Sequence, residues 1–191
     1  MDQVLALASQ VRAHYLRALL ASYVDFEAAH AQSATEVMFE LQRDEPLPFR
    51  LHRADMAAGV DGKADVQEVN PSTHLSFEPF EVEVSEGITV AMHPIVWNDV
   101  GLRSNTRLPL EETEAWALRW LDLEDRHPED EQGLQGVIHS VSREDAPDGS
   151  TLLEVDFGSS PVQALSELLE LAFASGASHV SIHSSTLDEA H

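Results

Sequence analysis

The alternation of apolar and polar residues is most regular between Leu75 and Val100, where it predicts two long β-strands that fold back at 85–87. Pairing Val82 with Val90 gathers the apolar residues of both strands on one side, and it also places Phe80 opposite Met92 and Val84 opposite Ile88. A shift by one residue would bring glutamates opposite this apolar set, so burial of one face predicts the register.

The second of these strands, 88–97, is apolar on both faces apart from Thr89 and His93, whereas the first carries glutamate at alternate positions. Strands covered on both sides have this double apolar pattern, so we expect residues 88–97 to lie inside a sheet. We expect the strands to bend or bulge at Pro79 and Pro94, since proline cannot donate to the ladder. The following segment, 101–107, is polar and predicts a connection.

Helical periodicity marks two segments before the last third of the chain. Residues 2 to about 30 carry an apolar stripe that includes Val4, Val11 and Tyr15. Pro109 is well placed as the first residue of a second helix, which we expect to run to about residue 124. Three acidic residues crowd the end of this second helix, so we expect that end to fray and residues 122–132 to be mobile.

The last third of the chain predicts a hairpin, a helix and a strand. Residues 136–143 and 151–157 alternate in polarity and pair best with Val141 opposite Leu153. Ser160 is the expected N-cap of the helix, with Gln163 completing a capping box. The helix should end at Gly176, before a strand over 179–183. If this strand shares a sheet with 151–157, the two should be parallel.

Three further segments predict strands: residues 35–42, 47–53 and 64–69, the last two separated by a loop at 59–62. Together the elements predict an α+β fold, with a long amino-terminal helix and an antiparallel-dominated mixed sheet. A chain of 191 residues is long enough to bury one core, so we expect a single domain over 1–191, with possible sub-halves at 1–107 and 108–191.

Composition removes several classes of function. The chain has 34 acidic and 11 basic residues, a net charge of −23, and no cysteine. Nucleic-acid phosphates would be repelled, and disulfides, thiolate nucleophiles and cysteine-based metal sites are excluded. The amino terminus lacks a basic leader, and charged residues interrupt its apolar stretch, so we expect a cytoplasmic protein that does not enter a membrane. The histidine spacings match no metal motif, and we predict neither a metal nor a cofactor site.

The candidate catalytic residues are His139 and Asp156. His139 falls among apolar residues on one face of the predicted second hairpin, and Asp156 lies near the end of its second strand. A lone histidine on an apolar face is usually a structural residue, so we expect His139 to be buried, hydrogen-bonded and neutral at pH 7. On that interpretation stability should fall as pH drops through about 6.5. The alternative role for His139 is a catalytic base.

Two functional hypotheses follow. The first is a bacterial-type, non-catalytic protein-interaction module that binds a basic or apolar partner surface. Residues 111–131 hold nine acids and two arginines and would form its acidic face. The order of elements is similar to that of bacterial secretion chaperones, without a shared motif, so a dimer is possible. The second hypothesis is a small-molecule enzyme or ligand-binding domain with a cleft around His139 and Asp156.

Overall fold

The computed structural model describes residues 1–60 and 63–188. Its helices are α1 (Asp2–Ala29), α2 (Leu110–Leu121), α3 (Val162–Ala174) and α4 (Ser185–Asp188). Within the described ranges, none of these helices has the length and apolar composition needed to cross a membrane. The long amino-terminal helix and the second helix near 109–124 are confirmed.

The strands form two sheets, and the class is α+β as predicted. They are β1 (Ser33–Glu40), β2 (Leu51–Val60), β3 (Lys63–Gln67), β4 (Phe80–Ser85), β5 (Ile88–Met92), β6 (Val100–Ser104), β7 (Ser140–Asp145), β8 (Thr151–Asp156) and β9 (His179–His183). The first three make an antiparallel sheet in the order β1-β2-β3. The other six make a mixed sheet in the order β4-β5-β9-β6-β8-β7. We expected a single sheet, so the separate three-stranded sheet is a correction.

The register of the central hairpin is confirmed over most of its length. Val82 lies opposite Val90 and Phe80 opposite Met92. At the turn the register shifts, so that Ser85 rather than Val84 lies opposite Ile88. Gly87 has φ +73°, a conformation that glycine adopts readily. The prediction of Val84 opposite Ile88 was wrong because a bulge beside the turn takes up one residue.

The segment after this hairpin differs from the prediction. β5 ends at Met92, short of the predicted Trp97, because Pro94 cannot continue the ladder. A tight turn follows, with a bridge between Val96 and Asp99, and the chain returns as β6. β6 lies in the interior of the sheet between β8 and β9, so the prediction that 101–107 is a polar connection was wrong. Its residues are buried except Arg103.

The second hairpin exists, with a different start and register. β7 begins at Ser140 rather than at Gly136, and Val141 lies opposite Val155 instead of Leu153. This shift of two residues leaves every side chain on its predicted face, since strand side chains alternate with a period of two. Hydrophobic alternation therefore fixed the faces of the hairpin without fixing its pairing.

The unit formed by β8, α3 and β9 is confirmed. β6 lies between the two strands and is antiparallel to both, so β8 and β9 are parallel. The predicted capping box is wrong. Pro161 occupies the N-cap position, the Ser160 hydroxyl donates to Phe157 O, and the Gln163 amide donates to Glu167 instead of turning back.

The core is shared between the helices and both sheets. α1 buries an apolar stripe against α3, β1 and β2, while α2 packs on α3, where the Trp116 indole donates to Ala164 O. Trp97 stacks on Phe157 with ring centroids 4.7 Å apart. The two sheets meet where the Arg53 N–H of β2 donates to the His139 carbonyl, at 2.7 Å. This junction positions the candidate site.

The strand boundaries in the small sheet also differ from the prediction. β1 is close to the predicted 35–42, whereas β2 covers 51–60 in place of 47–53, and β3 covers 63–67. Residues 61 and 62 of the predicted loop lie outside the described residues. The single-domain prediction, with its possible division near 107, stays a prediction.

Candidate functional site

His139 lies in a largely buried cluster of acidic side chains at the junction of the two sheets. Its Nε2 is 2.9 Å from Glu36 Oε1, and its Nδ1 is 3.2 Å from Asp55 Oδ1 and 3.9 Å from Asp156 Oδ1. The side chains of His139 and Glu36 have no exposed surface, and that of Asp55 is 2% exposed. A histidine between three carboxylates is poised to carry a positive charge.

Antiparallel pairing places the acidic residues of the small sheet side by side. Thr35 pairs with Met56 and Val37 with Ala54, so Glu36 on β1 and Asp55 on β2 occupy neighbouring positions. Like charges at such positions repel one another unless a cation lies between them. The imidazole of His139 reaches both carboxylates and supplies that positive charge.

The large sheet contributes the other half of the cluster. His139 directly precedes β7, and its N–H donates to the carbonyl of Asp156 at the end of β8. Ser140 pairs with Asp156, which holds the two candidate residues at the same level of the hairpin. The structure therefore brings His139 and Asp156 together, as the second functional hypothesis requires.

Glu36 is the most heavily bonded member of the cluster. Its carboxylate accepts hydrogen bonds from His139, from the hydroxyl of Ser159, and from the N–H of Gln135 at 2.5 Å. Its backbone has φ +51°, in the left-handed region that non-glycine residues rarely adopt. The hydrogen bonds of the Glu36 side chain all come from segments outside β1. A strained backbone conformation of this kind persists where the surrounding structure holds the residue in place.

Asp55 is held by donors from two further elements. The hydroxyl of Tyr15 on α1 donates to Oδ1 at 2.8 Å, and the N–H of Val69 donates to Oδ2 at 2.6 Å. Burial alone would raise the pKa of Asp55, but contact with His139 and these two donors lower it below its usual value. Burial, reinforced by Asp156 and Asp55, raises the pKa of the Tyr15 hydroxyl well above its usual value. Asp55 is thus ionised and Tyr15 neutral near pH 7.

The protonation of His139 corrects the prediction from the sequence. Burial alone would lower the pKa of the imidazole, but the surrounding carboxylates Asp156, Asp55 and Glu36 raise it well above its usual value. His139 is buried and hydrogen-bonded as expected, yet its pKa is raised rather than lowered, which favours the charged imidazolium over the neutral ring. Alternation placed Asp156 on the opposite face of the hairpin from His139, and the other two acids come from the other sheet.

Asp156 differs from the other two carboxylates in its access to solvent. Its side chain is 16% exposed, and its Oδ1 accepts the N–H of Gly158 at 2.8 Å. No hydrogen bond reaches its Oδ2 from the part of the chain that the structure describes. Burial and the charge of Asp55 raise its pKa to about 7, against the opposing effect of His139. Asp156 can therefore both donate and accept a proton near neutral pH.

Asp156 lines a cleft of about 280 Å³ between the two sheets. Across the hairpin, Ser140 pairs with Asp156 and Ser142 with Glu154, so these four polar side chains share one face. Phe49 and Leu51, from the segment that leads into β2, contribute apolar lining and are largely buried. The other lining residues are Leu41, Arg43, His52, Asn98, Asp99, Val141, Val155 and Ser185.

Arg53, next to the cluster on β2, is a second buried charge. Its guanidinium donates to the carbonyls of Leu121 and Asp122 at 2.8 Å and to the carboxylate of Asp125 at 2.7 Å. It also donates to Glu36 O and to the side chain of Gln135. A cation at a helix carboxy terminus satisfies free carbonyls and interacts favourably with the dipole.

The end of α2 has partners that the sequence did not predict. The helix ends at Leu121, and Asp122 adopts a left-handed conformation with φ +48° while its carboxylate accepts the N–H of His127. The predicted fraying assumed three uncompensated acids. Arg53, which comes from a strand nearly seventy residues earlier, contacts Asp122 O and the carboxylate of Asp125, and Arg126 pairs with Glu124. The mobility of 122–132 itself stays a prediction.

Four residues of the cluster were missed from the sequence: Glu36, Asp55, Tyr15 and Ser159. Two signals could have pointed to them. Asp55 is an isolated acid inside the apolar run 54–58, and Tyr15 lies on the buried stripe of α1, where its hydroxyl needs a partner. Glu36 and Ser159 gave no such signal, because acidic residues and serines are common at exposed positions of strands and turns.

Among residues 1–60 and 63–188, no group of three or more histidine or acidic side chains has the arrangement of a metal site. Comparison of the chain with protein-family models, with curated proteins and with solved structures finds no match.

Proposed function

We propose that this chain is a small-molecule-binding domain whose cleft presents Asp156 as an acid–base group. The observation that carries the proposal is the position of Asp156. Among the carboxylates of residues 1–60 and 63–188 that lie within 4 Å of His139, it alone also lines the cleft between the sheets. Binding sites of small molecules are concave and present a few convergent polar groups; this cleft is concave, and its lining is mostly polar with apolar residues among it.

The chemistry available at this site is proton transfer to or from a bound ligand. A group whose pKa lies near the working pH is populated in both protonation states and transfers protons efficiently. Protonated Asp156 would donate from the cleft side, and the resulting carboxylate would be stabilised by the charge of His139 behind it. His139 is itself shielded from the ligand, so its role is to position and tune Asp156.

An NMR pH titration that follows the carboxyl carbons of labelled aspartate side chains tests the acid–base part of the proposal. We expect Asp156 to titrate with a midpoint near 7 and the midpoint to rise in His139→Asn, which removes the positive charge. Glu154→Gln, two residues away on β8 and in the same cleft, is the matched control. A midpoint near 4 for Asp156 would overturn the proposal.

A fragment screen by NMR tests the binding part. We expect ligands to shift the amide signals of Ser140, Ser142 and Asp156, since all three line the cleft. The Asp156→Asn variant should no longer bind fragments that exchange a proton with Asp156, and it should still bind fragments that contact only the apolar lining residues. A screen in which no fragment shifts these amides in the wild-type protein would argue against a ligand site.

The interaction module is the second candidate, and a surface at the end of α2 favours it. Leu118 and Leu123 line a groove of about 420 Å³, and Leu123 is 46% exposed. The segment 111–131 that contains them is the most acidic of the chain. A partner segment with apolar and basic side chains would be complementary to this surface.

Capture from a native lysate at moderate and at high salt tests the second candidate. We expect a basic partner that is lost at high salt and is also lost with Leu123→Ser. Val24→Ser is the matched control, because Val24 is an exposed apolar residue on a different helix. Retention of the same partner by Leu123→Ser would contradict this use of the groove.

A further inference from the structure

We infer that the cleft beside Asp156 takes a small ligand that carries a primary ammonium group on an apolar, ring-sized body. This inference rests on the proposed function, since it names the class of ligand for the same cleft. Three features of the cleft carry it: free acceptor atoms on one wall, a small apolar surface, and an excess of acidic side chains.

The acceptor wall is built by the second hairpin. Asp156 Oδ1 is engaged by Gly158 N–H, whereas no hydrogen bond from the described residues reaches Oδ2. Glu154 lies beside it on the same face, and the one hydrogen bond that it accepts within the described parts of the chain is long, 3.3 Å, from Ser142. An ammonium group has three donors and no acceptor, so it matches a wall of carboxylate and hydroxyl oxygens.

The apolar part of the lining includes the segment that leads into β2. Phe49 is 8% exposed and Leu51 is 3% exposed, so both are fixed in the core and offer the cleft a small apolar surface, which the half-buried Leu41 extends. Such a surface recognises the apolar body of a ligand and orients its charged end toward the hairpin. The cleft volume of about 280 Å³ admits a molecule with a single ring.

The charges around the cleft favour a cation but include one competing feature. Asp99 is occupied by Ser185 and Thr186, and His52 pairs with Glu68 at 2.9 Å. Within the described parts of the chain, the side chain of Arg43 at the rim makes no ion pair. Arg43 would favour an anionic ligand, so the sign of the preferred ligand charge decides whether the inference holds.

Three probes of matched shape test this sign: phenethylamine, 2-phenylethanol and 3-phenylpropionate. Their dissociation constants are measured at pH 8 by NMR shifts of the hairpin amides. We expect phenethylamine to bind at least about tenfold more tightly than the alcohol, and the carboxylate to bind most weakly. Equal binding of the amine and the alcohol, or tightest binding of the carboxylate, would overturn the inference.

Variants localise the effect. Asp156→Asn should weaken phenethylamine binding about tenfold and leave 2-phenylethanol binding within about twofold. Glu144→Gln is the matched control, since Glu144 is exposed on the same hairpin and does not line the cleft. If Asp156→Asn binds neither probe, the substitution has damaged the cleft and does not report on ammonium recognition. Glu154→Gln then decides, because we expect it to weaken binding of phenethylamine and not of 2-phenylethanol.

The pH dependence adds a further check. The groups that face Asp156 or the cleft are His139, Asp55, Glu68, Glu154 and His52, with Arg43 and Asp99 at the rim. Ionisation of Asp156 should strengthen phenethylamine binding about tenfold from pH 5.5 to 8, and leave the alcohol unchanged. If Asp156 titrates near 7 while phenethylamine binds no better than the alcohol, the ligand class fails and the acid–base proposal stands.

Discussion

His139 Nε2 and Glu36 Oε1 lie 2.9 Å apart in a site without exposed surface, although 103 residues separate them in the chain. Glu36 belongs to the three-stranded sheet, and His139 directly precedes the edge strand of the six-stranded sheet. Their ion pair therefore joins the two sheets. Breaking a buried pair by removing one partner leaves an uncompensated charge, which is strongly destabilising.

Glu36→Gln should lower the pKa of His139 and reduce the free energy of unfolding by about 3 kcal/mol. The glutamine keeps the shape of the side chain but removes one of the negative charges that hold the imidazolium. NMR titration of the His139 ring and urea denaturation measure the two effects. Glu40→Gln on the same strand is the control, because Glu40 is 60% exposed in its pair with Arg50, and its loss should cost under about 1 kcal/mol.

The free energy of unfolding should fall as pH rises from 5 to 8. The pKa of Asp156 is higher in the folded chain, about 7, than in the unfolded chain, so its stabilising contribution is lost as pH rises toward and through 7. The raised pKa of His139 acts in the same direction from about 6.5 upward. This is opposite to the trend expected for a buried neutral histidine.

Urea denaturation at intervals of one pH unit measures this slope. Asp156→Asn should flatten it between pH 5 and 7, and Glu154→Gln should leave it unchanged. Below about pH 4 the sign reverses, because Asp55 has a lowered pKa and its contribution is lost as pH falls through that value. A wild-type protein that gains stability from pH 5 to 8 would contradict the charged state of His139.

Arg53→Met should reduce the free energy of unfolding by about 3–5 kcal/mol, the cost typical of breaking a buried charge network. The variant leaves the carbonyls at the end of α2 without donors and Asp125 without its partner. Arg53→Lys should recover only part of the loss, since one ammonium group cannot reproduce the fork of five donors. Denaturant unfolding measures both variants.

Arg107→Met is the matched control for Arg53. Arg107 is 59% exposed and lies 3.8 Å from Asp145, so its loss should cost under about 1 kcal/mol. If Arg53→Met lowers the free energy of unfolding as little as the control does, the hydrogen bonds of Arg53 stabilise this helix end hardly more than water would.

Local pattern was enough to predict the elements whose partners are near in sequence. The central hairpin and the unit of β8, α3 and β9 each bury an apolar face that their own residues specify. The same pattern failed at β6, because its pairing partners are β8 and β9, which lie far along the chain. The short alternation in 100–104 could not be distinguished from a connection without them.

The site was predictable only in part for a related reason. His139 and Asp156 belong to one hairpin, so sequence reasoning could consider them together. Glu36 and Asp55 reach them from another sheet and, together with Asp156, raise the pKa of His139. The contribution of contacts as far as 103 residues apart has no local signature in the sequence, and desolvation alone gives the wrong direction.

Gly158→Ala should reduce the free energy of unfolding by more than backbone strain alone explains. Gly158 has φ +47°, and a Cβ at this position would overlap the imidazole ring of His139. The ring cannot move aside without losing its contacts to Glu36 and Asp55, which hold it on both sides.

Gly149→Ala is the matched control, because Gly149 also has a positive φ, +89°, and has no atom within 4 Å of the new Cβ. The control should lose about 1–2 kcal/mol and Gly158→Ala clearly more, with a lowered His139 pKa in the NMR titration. Equal losses in the two variants, with an unchanged His139 titration, would mean that the imidazole is free to shift and that the cluster is less rigid than its hydrogen bonds indicate.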